Sequence, residues 1–127
     1  MSVADEIGRG RYVSLTTYKK DGTPVATPVW HAYVDGVVYV ISEASAWKVK
    51  RIRNNPAVQL TVCGIRGRIA PDAPTASGTA QLLDESEEPR VRRYIAKKYW
   101  MSRIANTATA VFRIKRPPVT CIAITIP

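Results

Sequence analysis

Two Asp-Gly pairs, Asp21-Gly22 and Asp35-Gly36, bracket the run 23–34 and dictate where the chain must reverse. Glycine takes the positive φ that a tight turn needs and aspartate tolerates it, so strands joined this way come out antiparallel. Residues 12–18, 24–34 and 37–42 are rich in β-branched and aromatic side chains. The expectation is three consecutive antiparallel strands.

The middle one, Thr23-Pro-Val-Ala-Thr-Pro-Val-Trp-His31, contains Pro24 and Pro28. Proline removes a ladder donor, so this run belongs at a sheet edge or a bulge. Backbone groups of Thr27, Val29 and Trp30 beside Pro28 are then expected to be free. They can hydrogen-bond a planar heterocycle beside the Trp30 ring, or a second subunit can cover them. His31 reads as a half-exposed neighbour of Trp30.

Ser45 is placed to cap a helix over 46–54, which Asn54-Asn-Pro56 stops. Trp47, Lys50, Arg51 and Asn54 mark one of its faces, and Val49 and Ile52 the other. A fourth strand over 57–63, a Gly- and Pro-containing loop over 64–74 and a fifth strand over 75–83 follow. A second helix starts at Asp84 or Ser86, acids first and bases later as its dipole prefers, with Val91, Tyr94, Ile95 and Tyr99 inward. Residues 101–114 place Ile104, Ala105, Ala108, Val111 and Phe112 at helical spacing among β-branched residues, and read as helix. The last strand is 119–126. Six strands with helices after the third and fifth make a single α+β domain, 1–127, built as an antiparallel barrel.

Nineteen Lys and Arg against ten Asp and Glu give a formal charge of +9, which favours acidic partners. Between Glu43 and Asp72 the chain has Lys48, Lys50, Arg51, Arg53, Arg66 and Arg68 and no acid. A helix opening out of a strand offers unpaired N–H groups and the positive end of its dipole, so this segment reads as an anion site with phosphate the natural ligand. A Rossmann or P-loop site is excluded by the lack of either glycine fingerprint. One histidine with two distant cysteines, Cys63 and Cys121, makes no usual metal set, and no paired carboxylates suit acid/base work. The first ten residues carry two acids and no apolar stretch, and the longest apolar run is far short of the roughly 20 residues of a spanning helix. The expected setting is cytoplasmic, without membrane. Trp47 is the only aromatic residue inside the basic stripe, which leaves no stacking platform for nucleic acid.

The segments Leu15-Thr-Thr-Tyr-Lys-Lys-Asp-Gly-Thr-Pro24, Thr27-Pro-Val-Trp30 and Ala44-Ser-Ala-Trp-Lys-Val-Lys-Arg-Ile-Arg-Asn-Asn-Pro56, running into Ala57-Val-Gln-Leu-Thr-Val-Cys63, resemble the flavin/deazaflavin oxidoreductases with a split β-barrel related to pyridoxamine 5′-phosphate oxidase. The Thr-Pro-Val-Trp form is similar to the branch that depends on coenzyme F420, a deazaflavin; FMN is the alternative cofactor. The resemblance implies a six-stranded antiparallel split β-barrel and a homodimer with cofactor sites at the subunit interface. It implies hydride transfer to a small organic acceptor, with no catalytic side chain required. Lys48 matches the lysine that holds the cofactor phosphate, next to Ser45 and Trp47. Where FMN oxidases often carry arginine, this chain has Trp47. Thr27, Pro28, Val29 and Trp30 match the strand that faces the ring system, and Lys50, Arg51 and Arg53 fall where an acidic oligoglutamate tail needs cations. A proton for the product is expected from His31, Tyr33, Tyr99 or solvent. A non-catalytic cofactor-binding or nucleic-acid-binding module is the remaining class.

Overall fold

A computed structural model describes residues 3–64, 68–98 and 118–126. In chain order its elements are α1 (Val3–Arg9), β1 (Tyr12–Tyr18), β2 (Pro24–Val29), β3 (Ala32–Val34), β4 (Val37–Glu43), α2 (Trp47–Asn54), β5 (Ala57–Cys63), β6 (Thr75–Leu82), a 3₁₀ turn (Glu85–Glu87), α3 (Glu88–Lys98) and β7 (Val119–Thr125). The strands form one antiparallel sheet in the order β2-β1-β5-β6-β7-β4-β3. The architecture is mixed α+β and resembles a split barrel, with seven strands among the described residues where six were expected.

The extra strand comes from the run 24–34, which breaks at Trp30-His31. Its two halves lie at opposite edges of the sheet, β2 beside β1 and β3 beside β4. Laid flat, seven strands would span about 29 Å between edge axes. Yet Val29 and Ala32 are three residues apart, about 10 Å of extended chain at most. The sheet must therefore curl until its edges nearly meet, and the continuous β-pattern of 24–34 is one strand path crossing from one edge to the other.

Inside the curl lie Val13, Leu15, Val38, Val40, Val58, Leu60, Ile122 and Ile124, with Ile7 of α1 and Ile52 of α2 packed among them. The next residues along two of these strands, Tyr39 of β4 and Cys121 of β7, point to the opposite face, where Val91, Tyr94 and Ile95 of α3 cover them. Strand β4 is thus buried on both sides. Asp84 begins this helical segment by accepting the Ser86 N–H at 3.4 Å, the N-cap role the sequence allowed it. Arg90 ties α3 to the sheet, lying 5.4 Å from the Tyr39 ring centroid and donating from Nε to Glu87 at 2.8 Å.

Helix α1 was not expected from the sequence. It presents only Ile7 as a buried residue. Its close approach needs glycine: a Cβ on Gly8 would sit 2.7 Å from the Tyr33 ring. The expected turn glycines are confirmed by φ values of 89° at Gly22 and 83° at Gly36. The segment 101–114, read above as helix, lies outside the described residues, as do Tyr99 and residues 65–67 of the loop 64–74. The rest of the loop prolongs the β5–β6 pairing, with Val62 N–H donating to Pro74 O at 3.1 Å and Gly64 N–H to Arg68 O at 3.0 Å.

Candidate functional site

Helix α2 leaves β4 through the turn Ala44-Ser45-Ala46. The N-cap is Ala46, with extended backbone (φ −64°, ψ 145°) and no side-chain cap bond. Ser45, expected to cap the helix, is one residue too early and lies exposed. The first turn therefore opens with backbone N–H groups that no side chain satisfies, and it contains no acid. Lys48 stands in that turn, half-buried. Burial pulls its pKa below the ordinary lysine value; Glu43 at the end of β4 opposes the shift, and Arg51 adds to it. A half-buried lysine carried on a first turn whose amides have no side-chain cap, at the positive end of the helix dipole, is a donor set that suits a phosphate.

The expected two-faced helix is present. Val49 and Ile52 are buried, and the opposite face lines a cleft of about 460 Å³. Trp47, Lys50, Arg51 and Asn54 form one wall, and Tyr18, Lys19 and Lys20 of the β1–β2 hairpin form the other. The Lys50 ammonium lies 4.4 Å from the Trp47 ring centroid, and Trp47 remains 68% exposed, so most of the indole is open to a ligand. Neither Lys48 nor Arg53 lines this cleft; Arg53 is exposed elsewhere on the helix. The basic stripe thus divides into a phosphate-type corner at Lys48 and a cationic cleft beside Trp47. Tyr18, Lys19 and Lys20 were missed because nothing local connects a hairpin tip to a helix nearly thirty residues on.

Strand β2 is an edge, as its prolines required. Lys19 N–H donates to Thr23 O at 2.9 Å, and the register continues Thr17↔Val25, Leu15↔Thr27 and Val13↔Val29. By the alternation of an antiparallel ladder, the odd-numbered residues of β2 are bonded to β1. The backbone groups of Thr27 and Val29 are therefore engaged, not free as expected. The open edge presents Ala26 N–H and C=O and the carbonyls of Pro24 and Pro28, where a missing proline N–H costs no ladder bond. Trp30 follows directly and is 37% exposed.

His31 differs most from its sequence reading, since it is wholly buried rather than half-exposed. Its Nε2–H donates to Ile7 O at 2.6 Å, because a carbonyl can only accept. The Lys98 ammonium lies 3.1 Å from the same nitrogen and donates to Gly8 O at 3.0 Å and Gly10 O at 2.8 Å. Burial first, then the Lys98 charge, depresses the His31 pKa to about 4, and burial lowers that of Lys98 to about 8. At neutral pH the imidazole is uncharged and locked beneath α1, a structural post and a poor proton donor.

Comparison with known proteins places this geometry. Among solved structures, a conserved hypothetical protein from Mycobacterium tuberculosis is similar at 21% identity and TM-score 0.70, covering 99% of this chain and 81% of its own. A protein named F420 reductase is similar at 20% identity and TM-score 0.60, over 97% of this chain and 91% of its own. A FAD-binding protein from Mesorhizobium loti has 19% identity and TM-score 0.65, over 98% and 87%. At these identities the likeness concerns the fold. No curated protein sequence matches. Residues 2–125 match the family described as pyridoxamine 5′-phosphate oxidase, nearly the whole chain, and the protein belongs to that family.

Proposed function

We propose that the protein is an oxidoreductase that uses a phosphate-bearing flavin-type cofactor, with the deazaflavin F420 preferred over FMN and a small organic molecule as acceptor. One observation carries this reading: the acid-free first turn of α2, without a side-chain cap, in which the half-buried Lys48 stands. It fits the phosphate of either cofactor. The preference for the deazaflavin rests on Trp47, where a second phosphate-holding arginine would suit FMN, and on Lys50 and Arg51, which suit a carboxylate tail. When bound, the reduced cofactor supplies a hydride from its central ring. The chain supplies position and exclusion of water. The amides of Trp47 and Lys48 and the Lys48 ammonium hold the phosphate. The open edge of β2 at Ala26 and Pro28, with Trp30 beyond it, flanks the ring system. No side chain here acts as a nucleophile.

A lightly covered proline edge and an exposed Trp30 also favour a homodimer in which a second copy covers the site. Sedimentation of the purified protein at micromolar concentration is expected to give a dimer; a monomer alone refutes the shared site. Titration with F420 and with FMN tests cofactor choice. The deazaflavin is expected to bind at least about tenfold tighter, roughly 1.4 kcal/mol, and the margin should narrow as salt rises, since the extra contacts are exposed ion pairs. Equal affinity, or a protein that purifies yellow with flavin, favours the FMN oxidase instead.

A further inference from the structure

We propose that Lys98 and His31 are positioning residues for Trp30: together they clamp the crossover between the two sheet edges to the end of α1, and so fix the indole beside the open edge of β2. The crossover is short. Only Trp30 and His31 stand between β2 and β3, and the pair divides, with His31 wholly buried and Trp30 37% exposed. Whatever holds the imidazole therefore sets where the neighbouring indole emerges.

The hold comes from two other elements. Ile7, Gly8 and Gly10 present their carbonyls at the C-terminal end of α1, where the helix's own ladder runs out. His31 Nε2–H donates to Ile7 O at 2.6 Å, and the ammonium of Lys98, the last residue of α3, donates to Gly8 O at 3.0 Å and Gly10 O at 2.8 Å. Gly8 also brings the α1 backbone against the Tyr33 ring. Helix α1 thus grips His31 and Tyr33, the two neighbours of Ala32, while Lys98 fastens α1 to α3. Burying an ammonium is a costly way to hold a helix end, and what it supplies here is reach to two carbonyls at once. Burial, then the Lys98 charge at 3.1 Å, holds the His31 pKa at about 4, and burial holds that of Lys98 at about 8. Between those values the imidazole is a neutral donor and the lysine a charged one, which is the clamped state. Above the upper value Lys98 loses its charge and its bonds to the carbonyls weaken. The other titratable side chains on the packed elements are Asp5, Glu6 and Arg9 of α1, Arg11 after it, Tyr33 of β3, and Tyr94 and Lys97 near the end of α3. The indole's role beside a cofactor ring rests on the function proposed above, whereas its coupling to Lys98 and His31 is a property of the free protein.

The double variant Trp47→Phe/Trp100→Phe leaves Trp30 as the sole tryptophan, and acrylamide quenching of its emission in the ligand-free protein reads its exposure. At pH 7, Lys98→Met and His31→Ala in that background should each raise the quenching constant about 1.5-fold or more. His31→Gln, whose amide can donate the same bond to Ile7 O, should keep it near the background value. As pH rises from 7 to 9, quenching in the background protein should increase through a step near pH 8, and Lys98→Met should lack that step. A flat profile in the background protein overturns the proposal even where Lys98→Met fails to fold, and a step that persists in Lys98→Met overturns it by assigning the titration to another group. Unchanged quenching in Lys98→Met and His31→Ala also overturns it, as does equal loosening in His31→Gln and His31→Ala, because bulk and not donation would then hold the crossover. Binding of neither F420 nor FMN by the wild type, with the Trp30 responses as expected, refutes the proposed function and upholds the clamp.

Discussion

Between pH 6.5 and pH 4 the folded protein is expected to lose up to about 3 kcal/mol of stability through His31 alone. The unfolded chain takes up a proton on this histidine near pH 6.5, while the native state resists until about pH 4. Within that window the unfolded state holds more protons, so stability falls as pH falls, and above pH 6.5 the contribution is complete. Lys98 acts in the same direction at the other end. Its pKa lies at about 8 against 10.5 for the ordinary group, so burying its ammonium costs most at neutral pH, and stability recovers as pH rises from 8 towards 10.5. Urea midpoints measured from pH 4 to 7 should slope upward for the wild type and run much flatter for His31→Gln, whatever that variant's absolute stability. An unchanged slope in His31→Gln would mean that the imidazole is solvated and that α1 does not cover it.

That cluster also marks where the sequence stops being legible. Strands β1 and β5 lie where local pattern puts them, because alternation and Asp-Gly turns are local signals. The faces of α2 follow from helical spacing alone. By contrast, α1 is held by a single buried isoleucine, a glycine that lets it touch Tyr33, and an ammonium on α3 some ninety residues away that caps its carbonyls. None of these is visible within a sequence window. Nor is the break at Trp30-His31, because both halves of 24–34 have the right residues for a strand and only closure of the sheet separates them. The burial of His31 follows from that closure. At the candidate site the same division holds. The prolines announce an edge, but which backbone groups stay open is decided by the ladder phase that Lys19 and Thr23 set. The cations of α2 were readable one by one, while their sorting into a half-buried Lys48 and a cleft shared with Lys19 and Lys20 needs the hairpin in place.

Lys48→Ala is expected to weaken binding of the phosphate-bearing cofactor by about 1 to 3 kcal/mol, roughly 5- to 150-fold, with little change in the urea midpoint. The magnitude follows from losing a charge-assisted hydrogen bond to phosphate while the amides at the α2 N-terminus remain. The pH dependence adds a second signature. Burial lowers the Lys48 pKa, and Glu43 only partly offsets this, so in the free protein this ammonium loses its proton at a less alkaline pH than an ordinary lysine. Wild-type affinity should therefore begin to fall on the alkaline side earlier than solvent-exposed lysines would dictate. Lys48→Arg keeps its charge throughout that range and should hold its affinity at high pH even if the longer fork binds less well at pH 7. Cofactor titrations of the three proteins at several pH values separate the possibilities. Wild-type binding by Lys48→Ala would move the phosphate away from the α2 N-terminus altogether. A shared alkaline fall in wild type and Lys48→Arg would assign the titration to another group while leaving the phosphate contact in place. The expected pattern is a loss in Lys48→Ala at every pH below the lysine's titration, shrinking as the wild-type ammonium itself becomes neutral.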